Sequence, residues 1–465
     1  MITTFSYSLS TILGVLNCDP TLQLNGRGKV QTISTSSLEC QMGTLFVPLK
    51  DIRDGHNFIP DALNRGASFF LCENKHPILK TLSIEDQKKA ILVEDTLLAL
   101  GELAKFHRNA FRPIVIAITG SSGKTSTKDL IGNLFSFLPN NQIVITEKNY
   151  NNQIGVPFTL FRISEFTKVV ICEMGMNQRG EIEYLSKIAS PNFAIITNIG
   201  SAHIENLKSP KNIALEKSDI LIGMQKSGVL FLPDTTDFLS LVKRRATKLK
   251  IKVKVWSNTD KSNLKIISEN ANGFKLKYED QVLNWLIPGR TLLTNVRGMI
   301  NLGEHLGLHQ KNIVKAIQTF KAPDKRLNIK AEYFKVIDDT YNANPESMLS
   351  SIQASTQVAG DKPLIWILGS MKELGKFSKQ YHIKIGKQLT SYKKTSLITF
   401  GKDAKYFSLP LKSNAIKTLP DDFLDFDSLA KDLKNLYPKD TVILVKGSRS
   451  MKMERIVESL LRIKA

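Results

Sequence analysis

The chain has 465 residues, 42% of them apolar, with 64 basic against 43 acidic side chains and a formal net charge of +21. That length exceeds one ordinary hydrophobic core and implies two or three domains, while no uninterrupted apolar run approaches the roughly 18 residues that a membrane span needs. The positive balance suits anionic partners such as nucleotides, sugar diphosphates, nucleic acid or an acidic membrane, but the lysines are dispersed (Lys248, Lys250, Lys252 and Lys254; Lys376, Lys379, Lys384 and Lys387), so charge alone selects none of them and reads first as a solvated basic surface.

The first residues, Met1-Ile2-Thr3-Thr4-Phe5-Ser6, place no basic segment ahead of the apolar positions, so no secretory signal is expected. Cys18, Cys40, Cys72 and Cys172 are scattered without a CxxC pair and are expected to be reduced thiols of a cytoplasmic protein. Residues up to about 95 read as a small mixed α/β region. From Ile114 onward short apolar runs alternate with amphipathic stretches: 114–118, 169–172, 194–197 and 229–232. Runs apolar on both faces suit parallel strands covered by helices on either side. Residues 263–287 differ, with alternating short strands around an Asn272-Gly273 turn. After a linker-like Phe320-Lys321-Ala322-Pro323-Asp324, a second α/β series runs through 336–338, 364–368, 396–400 and 442–445, closing in a helix from about Met451 to Ile463. The expected organisation is α/β in three domains, 1–95, 96–322 and 323–465.

The sharpest local signal is Thr119-Gly120-Ser121-Ser122-Gly123-Lys124-Thr125-Ser126, between an apolar strand and a helix expected from Thr127 to Phe137. Glycines let the backbone N–H groups turn toward phosphate oxygens, and the helix N-terminus adds a favourable field. Lys124 would neutralise the β/γ-phosphates and Thr125 would place its hydroxyl on Mg²⁺. The longer GxxxxGK(S/T) spacing would need glycine where the chain has Ile118, so this is the shorter GxxGKT form, and ATP is the expected nucleotide. Glu173 lies just past the run 169–172, and His203 six residues past Thr197. Ligand crevices of open α/β sheets lie at the carboxyl ends of strands, so both are candidates to hold Mg²⁺, or Mn²⁺ in its place.

Taken together, 119–125, Asn149-Tyr150-Asn151-Asn152-Gln153-Ile154-Gly155-Val156-Pro157 and Glu173-Met174-Gly175 resemble the Mur ligase superfamily. Asp338-Asp339-Thr340-Tyr341-Asn342-Ala343-Asn344-Pro345-Glu346-Ser347-Met348 and Lys446-Gly447-Ser448-Arg449-Ser450 resemble its dipeptide-adding branch, and 43–50 with Asp54-Gly55-His56 resemble that branch's UDP-sugar-binding domain. The resemblance covers nearly the whole chain. It implies a UDP-binding N-terminal domain, a central ATPase domain with a parallel sheet and a Rossmann-like C-terminal domain. It also implies an ADP-forming ligase of peptidoglycan-precursor synthesis that joins D-alanyl-D-alanine to UDP-N-acetylmuramoyl-tripeptide, acting as a cytoplasmic monomer without nucleic acid. It further implies that Lys217 is carbamylated beside the metals, and that Asn295, Arg326 and Asp339 contact the nucleotide. Tyr341, Asn342, Asn344, Lys446, Ser448 and Arg449 would lie near the incoming dipeptide.

Three departures stand out. Ser36-Ser37-Leu38 replaces the family's Asp-Ser-Arg, Thr294-Asn295 stands for its His-Asn with Gly298 at its second asparagine position, and Ser370 replaces an aspartate in Gly-Asp-Met. The alternatives are another ligase of the superfamily (the third-residue-adding enzyme or a folylpolyglutamate synthase) and a nucleic-acid-dependent NTPase. The last lacks an aromatic–basic stripe suited to stacking single strands. Which residue ends the acceptor tripeptide is not legible in the sequence.

Overall fold

The structure, a computed structural model, describes residues 5–18, 28–259, 263–392, 395–411 and 416–464. Met1 to Thr4, used above in the reading of the chain start, lie outside them. Near the N-terminus a four-stranded parallel sheet runs Thr32–Ser34, Thr44–Phe46, Phe69–Glu73 and Ala90–Val93 in spatial order, beside a two-stranded antiparallel ribbon. The helix Thr96–Phe111 follows and packs on the helices Gly155–Phe161 and Glu181–Ala189. Buried Arg108 fixes that packing by donating to the carbonyls of Ala189 and Ser190.

The central sheet has six parallel strands in the order Lys252–Trp256, Val229–Pro233, Phe193–Ile196, Ile114–Thr119, Val169–Glu173 and Ile143–Ile145. Strand Ile114–Thr119 has the next two strands of the chain on one side and the three after them on the other. This reversal opens a crevice at its carboxyl end, so the chain order by itself brings Gly120, Glu173 and Thr197 to one place.

The helix after the phosphate loop spans Lys124–Leu134 rather than 127–137. Gly123, at φ +78°, is its N-cap, and a glycine in that conformation lets the first helical turn begin at the loop lysine itself. The short strands expected over 263–287 form an antiparallel sheet of three, Leu264–Asn270, Gly273–Tyr278 and Gln281–Trp285. Gly273 at φ +127° makes its turn, where a Cβ would meet the Trp285 carbonyl at 2.0 Å.

The C-terminal sheet orders Asn328–Ala331, Lys335–Asp338, Val442–Lys446, Leu364–Gly369, Thr395–Phe400 and Ile416–Leu419, parallel except for the first pair. The last helix is Glu454–Arg462, preceded by a 3-10 turn over Arg449–Met451, so the single helix expected from Met451 to Ile463 is shorter and broken at its start. Lys452 at φ +48° separates the two pieces. All four cysteines are free, and burial pushes the Cys40 thiol up to about 11 and those of Cys72 and Cys172 up to about 12.

Two departures have packing explanations. A Cβ on Gly298 would meet the Trp256 ring at 2.9 Å, so that indole occupies the space a larger side chain would need. Ser370 is buried, and its Oγ accepts the N–H groups of Asp403 and Ala404, each at 3.1 Å; a neutral hydroxyl caps that turn. In the third, Ser37 is buried while Leu38 is 71% exposed.

Candidate active site

The crevice holds a cavity of about 960 Å³, lined from the central sheet by Ser121 to Ser126, Glu173, His203 and Asn295, and from the C-terminal region by Arg326, Asp339, Tyr341, Asn342, Asn344, Glu373 and Lys446. Of the residues singled out from the sequence, Gly120, Lys217, Ser448 and Arg449 do not line it.

The phosphate loop is braced by the end of the neighbouring strand. Asn198 Oδ1 accepts the N–H groups of Ser121 and Ser122 at 2.9 Å, and its Nδ2 donates to Ser122 Oγ at 2.6 Å. Thr197 Oγ1 donates to the Ser122 carbonyl at 2.6 Å, and the Gly200 N–H donates to Ser121 Oγ at 2.9 Å. Gly120, at φ +154°, approaches so closely that a Cβ there would lie 1.8 Å from Thr197 Oγ1. Thr197 and Asn198 were not singled out as functional; their position past an apolar run was the available signal. Lys124 Nζ donates to the Gly120 carbonyl at 2.8 Å. Burial pushes its pKa down, opposed by the charge of Glu173.

Glu173 ends its strand buried. Oε1 accepts from Asn151 Nδ2 at 2.8 Å, whereas Oε2 is buried without a hydrogen-bond partner. Asn151 comes from the Asn-rich 149–153 segment, and its carbonyl accepts from Gly175 N–H at 2.7 Å. The 149–157 and 173–175 motifs are thus one hydrogen-bonded unit. His203 caps the helix Ile204–Leu207 at φ +62°, and its Nδ1 lies 2.7 Å from Glu373 Oε2. Lys217 is 1% exposed, among the largest fully buried side chains. Burial drives its pKa well below the ordinary lysine value, helped by the charge of Lys124 and opposed by Glu216 and Glu346. Burial of this kind favours the neutral form of the amine. Its neighbour Glu216 accepts the N–H groups of Gly180 at 2.9 Å and Ile182 at 3.0 Å, which holds the start of the helix Glu181–Ala189.

Asn295, on the helix Arg290–His305, sits against the loop: a Cβ on Gly123 would be 2.7 Å from its Nδ2. Arg326 stacks over the Tyr341 ring, 4.2 Å from guanidinium carbon to centroid. Asn344 caps the helix Pro345–Ala359 through a capping box with Ser347, and its Nδ2 donates to the Ser121 carbonyl at 3.0 Å. Glu346 Oε1 accepts from Ser201 N–H at 2.8 Å and Ser201 Oγ at 2.9 Å. Three contacts from the C-terminal region therefore press on the phosphate loop and the loop before His203: Asn344, Glu346 and Glu373.

Lys446 is buried, with Nζ 2.6 Å from Asp339 Oδ2 and 3.0 Å from the Asn342 carbonyl. Asp339 also accepts from Ser351 Oγ and the Leu327 N–H. Ser448 Oγ accepts from Lys372 N–H at 2.7 Å and donates to the Ala343 carbonyl. Arg449 is largely exposed and pairs with Glu454 at 2.9 Å.

A second group of possible ligands, Asp54, His56 and His76, lies in the N-terminal region with its donor atoms within 4.8 Å of one another. His56 Nε2 accepts the Glu73 N–H and His76 Nδ1 accepts the Ile78 N–H, both at 3.3 Å. An N–H can only donate, so each ring carries its proton on the nitrogen facing Asp54. Neither ring then offers a lone pair to a metal there; the cluster is a carboxylate knot that holds Asp54, Gly55 and His56 in place.

Residues 118–302 match the family model of the Mur ligase middle domain, and residues 325–449 that of the Mur ligase, glutamate ligase domain. The chain is 31% identical over 437 residues to UDP-N-acetylmuramoyl-tripeptide--D-alanyl-D-alanine ligase of Bacillus subtilis, covering 93% of both chains. Its fold matches that of MurF from Acinetobacter baumannii with a TM-score of 0.86 at 26% identity, covering 99% of this chain and 100% of that one. It also matches MurF ligase from Thermotoga maritima, solved in complex with ADP, with a TM-score of 0.79 at 26% identity, covering 92% and 97% of the two chains.

Proposed function

This chain belongs to the Mur ligase family, and on that premise we propose that it joins D-alanyl-D-alanine to UDP-N-acetylmuramoyl-tripeptide in an ATP-dependent, ADP-forming ligation of peptidoglycan-precursor synthesis. The observation that carries the reading is a single cavity in which the phosphate loop faces the segment Asp338 to Met348, with Asn344 bonded directly to the Ser121 carbonyl. The relative's name over nearly the full length of both chains favours the dipeptide-adding branch over its sister ligases.

A carboxylate resists amine attack because it is anionic and lacks a leaving group. Transfer of the γ-phosphoryl group to it makes an acyl phosphate, and the difficulty becomes the meeting of two anions, which Lys124 and the loop N–H groups offset. The amine of the dipeptide then forms the new C–N bond, the C–O bond to phosphate breaks, and inorganic phosphate leaves.

The residues fit a divalent cation. Glu173 keeps a buried, unpartnered carboxylate oxygen, and Thr125 and His203 line the same cavity; these three would hold Mg²⁺ or Mn²⁺. When bound, the cation would neutralise charge on the transferring phosphoryl group. Lys217 fits carbamylation: burial favours its neutral amine, which would add CO₂ with loss of a proton and become an anion. Asn295, Arg326 and Asp339 would meet the nucleotide, and Tyr341, Asn342, Asn344, Lys446, Ser448 and Arg449 would surround the dipeptide, with Lys446 and Ser448 acting through the residues they brace. The contacts of Asn344, Glu346 and Glu373 with the central loops would exclude water that hydrolyses acyl phosphates.

In this reading residues 1–95 bind the UDP-sugar, 96–322 bind ATP and 323–465 present the dipeptide, in a cytoplasmic monomer. Among the described residues no helix is long and apolar enough to cross a membrane.

The test is ADP release with UDP-N-acetylmuramoyl-tripeptide and D-Ala-D-Ala, each omitted in turn, and with single amino acids or glutamate in place of the dipeptide. ADP formation that depends on both substrates is expected, and Lys124→Ala should abolish it. Turnover with glutamate or a single amino acid instead of the dipeptide moves the chain to another branch, and an undiminished Lys124→Ala variant overturns the phosphate-loop assignment.

A further inference from the structure

The incoming dipeptide carries an α-ammonium at neutral pH, and it must approach a centre built around a cation, Lys124, to meet the phosphates. Like charges repel, so the cavity needs an anion on the side from which the amine arrives. The cavity-lining carboxylates among the described residues are Glu173, Glu181, Asp339 and Glu373. Glu173 is buried and tied to Asn151. Glu181 caps its own loop, Oε2 accepting the N–H groups of Asn177 and Gln178. Asp339 is taken up by Lys446, Ser351 and the Leu327 N–H.

Glu373 remains. It comes from the loop after the strand Leu364–Gly369, in the C-terminal region, with its side chain 53% exposed. Oε2 lies against His203, and Oε1 makes no hydrogen bond among the described residues. The loop is held firmly around it. The Glu205 N–H donates to the Glu373 carbonyl at 3.1 Å, and the Lys372 N–H is held by Ser448 Oγ. Buried Leu374 anchors the far side. Glu373 itself sits at φ +62°, a conformation that non-glycine residues seldom adopt, so the surroundings dictate where the carboxylate points. It lines the same cavity as Lys124 and lies against His203, which puts it on the phosphate-loop side of that cavity.

We propose that Glu373 is the receiver of the incoming ammonium: its carboxylate pairs with the α-ammonium of D-Ala-D-Ala and seats the nitrogen beside the acyl phosphate. There the nitrogen sheds one proton to solvent, attacks as the free amine while the C–O bond to phosphate breaks, and gives up its second proton to the departing phosphate. The assignment rests on the ligase reading above. Because the same loop touches His203 and Glu205 of the central region, the receiving group is in place only when the C-terminal region sits on the metal-side loop, so binding of the amine and closure are one event.

The experiment compares two nucleophiles on Glu373→Gln, which retains the size and hydrogen-bonding capacity of the side chain but not its charge. With saturating ATP and UDP-N-acetylmuramoyl-tripeptide, D-Ala-D-Ala ligation is measured beside trapping of the acyl phosphate by hydroxylamine, which is uncharged at neutral pH and needs no ammonium receiver. The KM for D-Ala-D-Ala should rise about fivefold, the loss expected on removing one member of a half-exposed charge pair, while hydroxamate formation, which still needs the contact with His203 but no ammonium receiver, falls distinctly less. A parallel fall in both reactions would show that Glu373 serves His203 or phosphoryl transfer, and an unchanged KM would show that it does not touch the amine; either overturns the proposal. Wild-type enzyme that forms no tripeptide-dependent hydroxamate would instead sink the ligase reading itself.

Discussion

Lys446 provides the sharpest energetic test. From the sequence it is expected beside the dipeptide, but the residue is only 2% exposed, with its ammonium 2.6 Å from Asp339 and 3.0 Å from the Asn342 carbonyl. Removing one member of a buried ion pair costs about 3–5 kcal/mol, because the other is left as an uncompensated charge. Lys446→Met should therefore destabilise the C-terminal region by that amount. At about 2–4 °C per kcal/mol for a unit of this size, the unfolding midpoint of that region should fall by roughly 6–20 °C. Asp339→Asn combined with Lys446→Met removes both charges and keeps the hydrogen-bonding shape at 339, so it should recover most of the loss, the non-additivity expected of residues in contact. The assay is differential scanning calorimetry of the full chain in the absence of ligands, with both single variants and the double variant. A shift of less than about 2 °C in Lys446→Met, or a double variant as unstable as the sum of the singles, would refute the buried-strut argument and leave Lys446 to the substrate alone.

Lys217→Met should abolish ligation, and the corresponding Lys217→Ala variant should regain part of it with added short carboxylates; full activity without rescue would remove the carbamate. The same methionine should raise thermal stability near pH 7. A lysine whose folded pKa lies below its ordinary 10.5 leaves the unfolded chain binding more protons through that window, so burial is penalised there and the gain should narrow as pH climbs toward 10.5. A gain that widens with pH would contradict the burial argument. Asn344→Ala removes both a helix cap worth about 1 kcal/mol and the bond to the Ser121 carbonyl, so the KM for ATP or dipeptide should rise beyond what stability alone explains; a variant that loses stability only, by denaturant titration, would separate the cap from closure. Ser370→Ala leaves the N–H groups of Asp403 and Ala404 without their acceptor and should cost about 1–3 kcal/mol in the C-terminal region, read by urea unfolding; no loss would mean that the turn is satisfied otherwise.

Four of the six strands of each large sheet, the antiparallel patch around Asn272-Gly273 and the phosphate loop were legible because each is written in neighbouring residues; the strands Ile143–Ile145, Lys252–Trp256, Asn328–Ala331 and Ile416–Leu419 were not read. Apolar runs of four to six set parallel strands, and the glycine spacing before Lys124 sets the turn. Helix ends were less legible. The start at Lys124 depends on the left-handed Gly123 and the break near Lys452 on another positive φ, and neither leaves a periodic mark. The order of strands around Ile114–Thr119 then made the meeting of Gly120, Glu173 and Thr197 a consequence of topology rather than of any motif.

What only the tertiary structure decided is how those motifs are completed. Lys217 looks like any helical lysine in the sequence; that it is buried without a hydrogen-bond acceptor among the described residues, with burial driving its pKa down, follows from tertiary packing. Asn198 supports the phosphate loop from 76 and 77 residues away, Glu346 reaches Ser201 across 145 residues, and Asn344 reaches Ser121 across 223. Glu373 meets His203 only because the C-terminal region rests on the central loop. Periodicity and turn chemistry act between near neighbours, so the chain could announce its elements and its phosphate site, whereas pairs this distant come together only through the packing of whole sheets.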